Sequence, residues 1–360
     1  AARPEWYFLF LFQMLKYFDG SLGFNSELVG AIVLPLILFG FMFMMPMIAR
    51  ARGGHWLNVG VMLVVISMAC YLTWEAKQED NYYLNHPDDT QSEAYKKSRR
   101  FHEEIGRSDK EFELIQELVR DHGIPLEGPT FLQQRDPLTM GLRLFRRQCA
   151  GCHAYSHEDY PIAGPQAPEQ AIAYGAPDLV HFGSVQWIQG ILSHDETRGI
   201  RSSRYFGNTQ HREGEMAEHV YETLWADVNS PDDIATLDKQ IEQVAWALAA
   251  EAELPYLDYE ANQTLIQAGR DHLNEDTLGC IGCHNYGDHQ DGYVIDLNGY
   301  GSADWLRKMI SDPTQDGFYD GGSENDRMPS FHSDSTKLLT EREVELLVRF
   351  LREDRRLLEK

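Results

Sequence analysis

The chain has 360 residues, 32 of them basic and 56 acidic, for a net charge of −24. So acidic a balance offers no cationic face to nucleic acid, and no nucleic-acid partner is expected. Two long segments near the N-terminus carry no charge at all, so the acidity belongs almost wholly to the rest of the chain.

Taken in chain order, the first signal is Pro4-Glu5-Trp6-Tyr7, followed by the apolar run Phe8 to Phe12. A carboxylate at a membrane edge, set among interfacial aromatics, is suited to exchange a proton with the adjoining water. Leu28–Ala49 then holds 22 residues without a charge and Trp56–Trp74 holds 19. At about 1.5 Å per residue, each can cross a hydrocarbon core of about 30 Å. Pro35 and Pro46 fit such a span better than they would a soluble helix. Arg50, Arg52 and His55 in the short connection place it on the cytoplasmic side. Both outer ends, and the whole chain beyond Trp74, then fall on the opposite, p side. Cys70, inside the second span, reads as a small apolar filler.

Residues 81–137 are a charged, partly helical linker, broken by Pro125, Pro129 and Pro137. Beyond it the chain repeats itself, over 138–254 and 255–360. Cys149-Ala150-Gly151-Cys152-His153 opens the first copy and Cys280-Ile281-Gly282-Cys283-His284 the second. This string attaches haem covalently: the two thiols become thioethers on the porphyrin and the adjacent His binds the iron. A thioredoxin-like pair or half a zinc site would account for one such string, but not for two in matching flanks. Those flanks share one spacing. Asp178-Leu179, Phe182-Gly183-Ser184 and Trp187 correspond to Asp296-Leu297, Tyr300-Gly301-Ser302 and Trp305. Each copy then offers a distal ligand: Met216, with His211 and His219 competing, and Met328. Amphipathic helices close both copies, through Leu237, Ile241, Val244 and Leu248, and through Val344, Leu347, Val348 and Leu351 behind a Thr340…Glu343 capping box. Two covalent haem c groups per chain are expected, ligated by His153, Met216, His284 and Met328.

These motifs carry resemblances. A helix before the haem, a wrap bearing a Met, and a closing helix resemble the class I cytochrome c fold; Met328-Pro329-Ser330-Phe331 looks like its M-P-x-F ligand loop. Pro4-Glu5-Trp6-Tyr7 before two spans resembles the quinol-oxidation motif in the C-terminal part of cytochrome b, or the separate subunit IV. Together they are similar to the fused subunits of cytochrome bc-type quinol:cytochrome c reductases. The resemblance implies an all-α chain with two transmembrane helices over residues 1–80 and two tandem cytochrome c-like domains on the p side of an energy-converting membrane. It implies a quinol site around Pro4, Glu5, Trp6 and Tyr7 shared with a cytochrome b subunit. The b haems and a Rieske 2Fe–2S cluster would belong to partner subunits. It further implies a soluble acceptor such as a cytochrome c, and a dimeric complex that is catalytic only when assembled. Two alternatives are the dihaem electron-input subunit of a cbb3-type oxidase and a membrane-anchored dihaem peroxidase or sensor.

Overall fold

A computed structural model of the chain describes residues 5–18, 28–164, 175–315, 318, 328–333 and 335–358. Pro4, Asp326 and Arg327 lie outside the described residues. Among those described, regular structure is helical, and extended pairing is confined to three isolated bridges, Tyr155–Ile162, Tyr286–His289 and His332–Lys337. The chain divides into two units, Ala1–Glu113 and Leu114–Lys360.

In the first unit a 3₁₀ turn, Trp6–Phe8, leads into α1 (Leu9–Lys16). The first apolar helix begins with a wide π turn at Val29–Val33 and continues as α2 (Leu34–Ile48). That wide turn directly precedes Pro35, whose ring nitrogen has no proton for a helical bond. The close approach of α1 is allowed by Gly30, where an added Cβ would meet the Phe18 ring at 3.0 Å. The second apolar helix, α3 (Gly54–Asp80), outruns its uncharged stretch by six residues. Both apolar helices, Val29–Ile48 and α3, are long and apolar enough to cross a membrane, and they turn side chains such as Phe43 (85% exposed) and Val64 (66%) outward. An outer surface that apolar suits lipid, not water. Cys70 is exposed on this surface instead of filling an interior, because two helices enclose little interior to fill. The linker is more regular than its periodicity suggested: α4 runs unbroken from Glu93 to His122. Exposed pairs such as Arg99–Glu103 and Arg107–Glu104 lace its outer face and add little stability singly.

The second unit contains both repeats. Asp136 caps α5 (Pro137–Gln148) and Ser184 caps α6 (Val185–Leu192), while Ser230 caps α7 (Pro231–Ala252). In the second copy α8 (Gln263–Asn274), α9 (Ala303–Ser311) and α10 (Glu341–Leu351) take the matching places, with the Thr340–Glu343 capping box formed. The shared Gly-Ser thus has a physical sense. Gly183 and Gly301 adopt φ of +76° and +74°, and the following Ser accepts a bond from the backbone N–H of Trp187 or Trp305.

The packing crosses the sequence boundary between the copies. The opening helix α5 crosses α10, the closing helix of the other copy, and α7 crosses α8. A Cβ added to Gly141 would sit 2.3 Å from the Cβ of Phe350, and one on Gly269 would sit 2.0 Å from the Gln243 carbonyl oxygen. Glycine is what lets each helix pair approach so closely. Phe350 also lies 5.9 Å from Phe145 and 4.8 Å from Tyr155, and Arg147 pairs with Glu343 at 3.0 Å. The copies meet again where Gly183 faces Gly301 and Phe182 stacks on Trp305. Arg352 is buried there and donates to the carbonyls of Ala252, Glu253 and Gly301. Those carbonyls include the unpaired acceptors at the end of α7, so they compensate the guanidinium for lost water. Gly141→Val should therefore lower the unfolding free energy of the detergent-solubilised chain by about 3 kcal/mol, measured by chemical denaturation. Because the copies share helices, both should unfold in one transition.

His181, at φ +54°, accompanies Gly299 at +64° in the second copy. Its Nδ1 lies 2.6 Å from Glu353 Oε1. That hydrogen bond raises the imidazole above its ordinary range, with partial burial and Arg204 opposing and Asp178 assisting. The fold favours protonated His181, so this contribution is complete below the ordinary imidazole value of about 6.5 and fades as pH rises through the raised one. The stability lost in Glu353→Gln should accordingly be larger at about pH 6 than at about pH 9, as thermal melts at the two pH values would record.

Candidate haem centres and membrane-edge motif

Each C-x-x-C-H string comes after a helix and turns back on itself. His153 N–H bonds the Cys149 carbonyl at 2.8 Å, and His284 N–H bonds the Cys280 carbonyl at 2.9 Å. The thiols and the imidazole are thus gathered on one tight turn. The Asp-Leu pair of the repeat then clamps that turn. Leu179 N–H bonds the carbonyl of Ala154, and Leu297 N–H that of Asn285, both at 3.0 Å and both to the residue just after the His.

The imidazoles are oriented the same way in both copies. His153 Nδ1 lies 2.8 Å from the Pro177 carbonyl and His284 Nδ1 lies 2.7 Å from that of Ile295. A carbonyl only accepts, so Nδ1 carries the proton and the Nε2 lone pair is free to coordinate. Ile295 serves as well as Pro177 because the backbone oxygen makes the bond. Burial lowers both imidazoles, favouring the neutral form that binds metal, and pushes the Cys149 and Cys280 thiols up to about 12.

Among the described residues of this unit, five buried side-chain polar atoms have no hydrogen-bond partner: the indole Nε1 of Trp187 and of Trp305, together with Arg201 Nε, Ser202 Oγ and Tyr221 O–H. The two indoles occupy the same place in the repeat. A buried donor without an acceptor costs about 1–3 kcal/mol, and two in matching places point to acceptors supplied from outside the chain. The carboxylates of a porphyrin are such acceptors, so the residues fit haem. In sequence the Trp pair stands only as a marker of the repeat, and its recurrence is the signal for a shared role. Arg201, Ser202 and Tyr221 gave no signal in sequence.

Met216 and Met328 are half-buried against the apolar core of this unit. Met328 precedes Ser330, which bonds Asp312 at 2.9 Å, and the buried Phe331. Of the competing histidines, His211 lies 6.3 Å from the Phe206 ring, whereas His219 Nε2 bonds the Leu278 carbonyl at 2.9 Å, beside the second haem string. His289 and His332 bond the Asn274 and Leu339 carbonyls.

In the first unit Glu5, Trp6 and Tyr7 are exposed at the start of the 3₁₀ turn, whose Phe8 N–H bonds the Glu5 carbonyl at 2.8 Å. The helix behind them is pinned by a polar seam. Buried Gln13 donates to Glu79 at 2.8 Å, Lys16 bonds both Gln13 and Glu79, and Tyr17 donates to Glu75 at 2.6 Å. Gln13, Lys16 and Tyr17 share one helix face, which the sequence displays, but the partners sit about sixty residues away and the sequence does not pair them.

Residues 1–85 match the family described as cytochrome b(C-terminal)/b6/petD. The chain is also 37% identical over 106 residues to the menaquinol:cytochrome c reductase cytochrome c subunit of Bacillus subtilis (strain 168), covering 26% of this chain and 41% of the relative. It is 39% identical over 77 residues to the subunit of that name from Geobacillus thermodenitrificans, covering 20% and 30%. The chain resembles a fused quinol:cytochrome c reductase subunit of the bc type. The match spans less than half the length of either relative. No solved structure matches.

If the two indoles serve haem, their removal costs more when haem is present. Trp187→Phe or Trp305→Phe should destabilise the haem-loaded chain by about 1 kcal/mol more than the haem-free chain, the lost ring volume being common to both, by chemical denaturation of both forms.

Proposed function

We propose that the chain is a membrane-anchored dihaem cytochrome c subunit of a Rieske/cytochrome b quinol:cytochrome c oxidoreductase. One observation carries the reading: a segment matching the cytochrome b C-terminal family, opening on Pro4-Glu5-Trp6-Tyr7, is continuous in one chain with two similarly built C-x-x-C-H turns. That match also weighs against the electron-input subunit of an oxidase.

The chain's own residues divide the work. Glu5, exposed beside Trp6 and Tyr7, accepts a proton from a quinol hydroxyl and releases it to the p-side water. The aromatics shape the mouth of a pocket completed by a cytochrome b subunit. Quinol loses two protons and two electrons and leaves as quinone. One electron departs toward a Rieske protein and onward to this chain, the other toward the b haems of the partner. Haem, when bound, supplies a one-electron iron couple. Cys149, Cys152, Cys280 and Cys283 would tether it, and His153 and His284 would bind iron through Nε2 with Nδ1 held. Met216 and Met328 provide thioethers that favour the reduced metal. The acidic surface of the chain suits a basic soluble acceptor such as a cytochrome c. The assembly is a dimer in an energy-converting membrane, with the haem part on the p side.

In the complex purified with its partners, the denatured chain should keep the mass of two haems. Glu5→Gln should leave that mass intact and slow quinol oxidation about a hundredfold, the range of a lost general base. Unchanged turnover in Glu5→Gln would remove Glu5 from the chemistry, and a mass below two haems would overturn the dihaem assignment.

A further inference from the structure

We infer that the segment Glu215–Leu224 bridges the two haem sites, with His219 as the positioning residue that sets the attachment loop of the second. The inference rests on the proposal that both C-x-x-C-H turns hold haem. The segment belongs to the first copy and carries Met216, yet its polar side chains reach the second.

Three contacts make the bridge. His219 opens a π turn, His219–Leu224, closed by Trp225 N–H on the Val220 carbonyl at 3.2 Å. Such a turn holds one more residue than an α turn and re-aims the side chains at its start. The His219 ring points at the second copy, where Nε2–H donates to the Leu278 carbonyl at 2.9 Å. It seats over Gly279, at φ +73°, where an added Cβ would lie 2.8 Å from Cε1. Gly279 immediately precedes Cys280, so the imidazole rests on the entry to the haem-attachment turn. At the exit, Tyr293 O–H lies 3.3 Å from Glu215 Oε2 and 3.3 Å from Cys283 Sγ. The backbone N–H of Tyr293 also bonds the Cys283 carbonyl at 3.0 Å. The two cysteines of the second string are thus flanked by the first copy's ligand segment.

A protein tunes bound iron through the groups around its ligands, which orient them and set its potential. Loss of the His219 ring would leave the Leu278 carbonyl short of a donor and free the Gly279–Cys280 backbone to shift, moving His284 with it. The same change loosens the segment bearing Met216, so both sites respond to one residue.

The test uses the full chain in its purified complex, titrated optically and by low-temperature EPR. The second haem's step is identified as the one lost in a Cys280→Ser/Cys283→Ser double variant. With two haems retained by mass, His219→Ala should shift the second haem's midpoint potential and its low-spin EPR signal. His219→Gln, which keeps a side-chain N–H donor, should return both toward wild type. Tyr293→Phe should shift the second haem and leave the first in place, which keeps the bridge testable if His219→Ala folds poorly. A second haem unmoved in both His219→Ala and Tyr293→Phe, with two haems attached, overturns the bridge alone. Fewer than two haems on the wild-type chain overturns the underlying reading and the bridge with it.

Discussion

The second unit depends on two close helix crossings, each made possible by a glycine. At Gly141 and Gly269 the partner helix lies where any side chain would be. Each crossing joins an opening helix of one copy to a closing helix of the other. Neither C-x-x-C-H turn is supported by its own copy alone: the first hangs from α5, braced by Phe350, and the second comes after α8, braced by α7. Arg352 fastens the ends of both closing helices by reaching the last carbonyls of α7. Each turn in such a frame takes its support from distant parts of the chain, and side chains locked by packing keep their geometry.

Within the frame, the repeated sequence reads as repeated hydrogen bonds. The Asp-Leu pair closes the turn after the His, the Gly-Ser starts the next helix, and the Trp presents an indole donor with no acceptor among the described residues. The copies differ where their side chains allow it. His181 takes the left-handed position that Gly299 fills in the second copy, and needs Glu353 to hold it. Arg201, Ser202 and Tyr221 give the first copy buried donors beyond its indole, whereas Trp305 is the second copy's only partnerless buried side chain among the described residues.

Much of this was legible in sequence because it is local. The attachment turns, the capping box and both apolar helices depend on residues within a few positions of each other, where spacing is informative. The full length of helix α4 was hidden because its many charges mask a face that packs only lightly. The crossing of α5 with α10 was not legible. Amphipathic faces on four helices say that each packs, but the choice of partner rests on how a small Gly141 meets a large Phe350, and a pattern of apolar residues does not encode that match. The seam of Gln13, Lys16 and Tyr17 with Glu75 and Glu79 was hidden for the same reason, as its halves are remote in sequence.

The helix exchange also orders events in time. A ribosome delivers the chain from its N-terminus, so α5 and the first C-x-x-C-H turn are made long before α10. Until α10 arrives, the first copy lacks the helix whose Phe350 packs on Phe145 and Tyr155. The second copy is complete in its crossing as soon as α8 has joined α7. The two crossings therefore close in reverse order of their first helices, and α5, made before α8, waits longer for its partner.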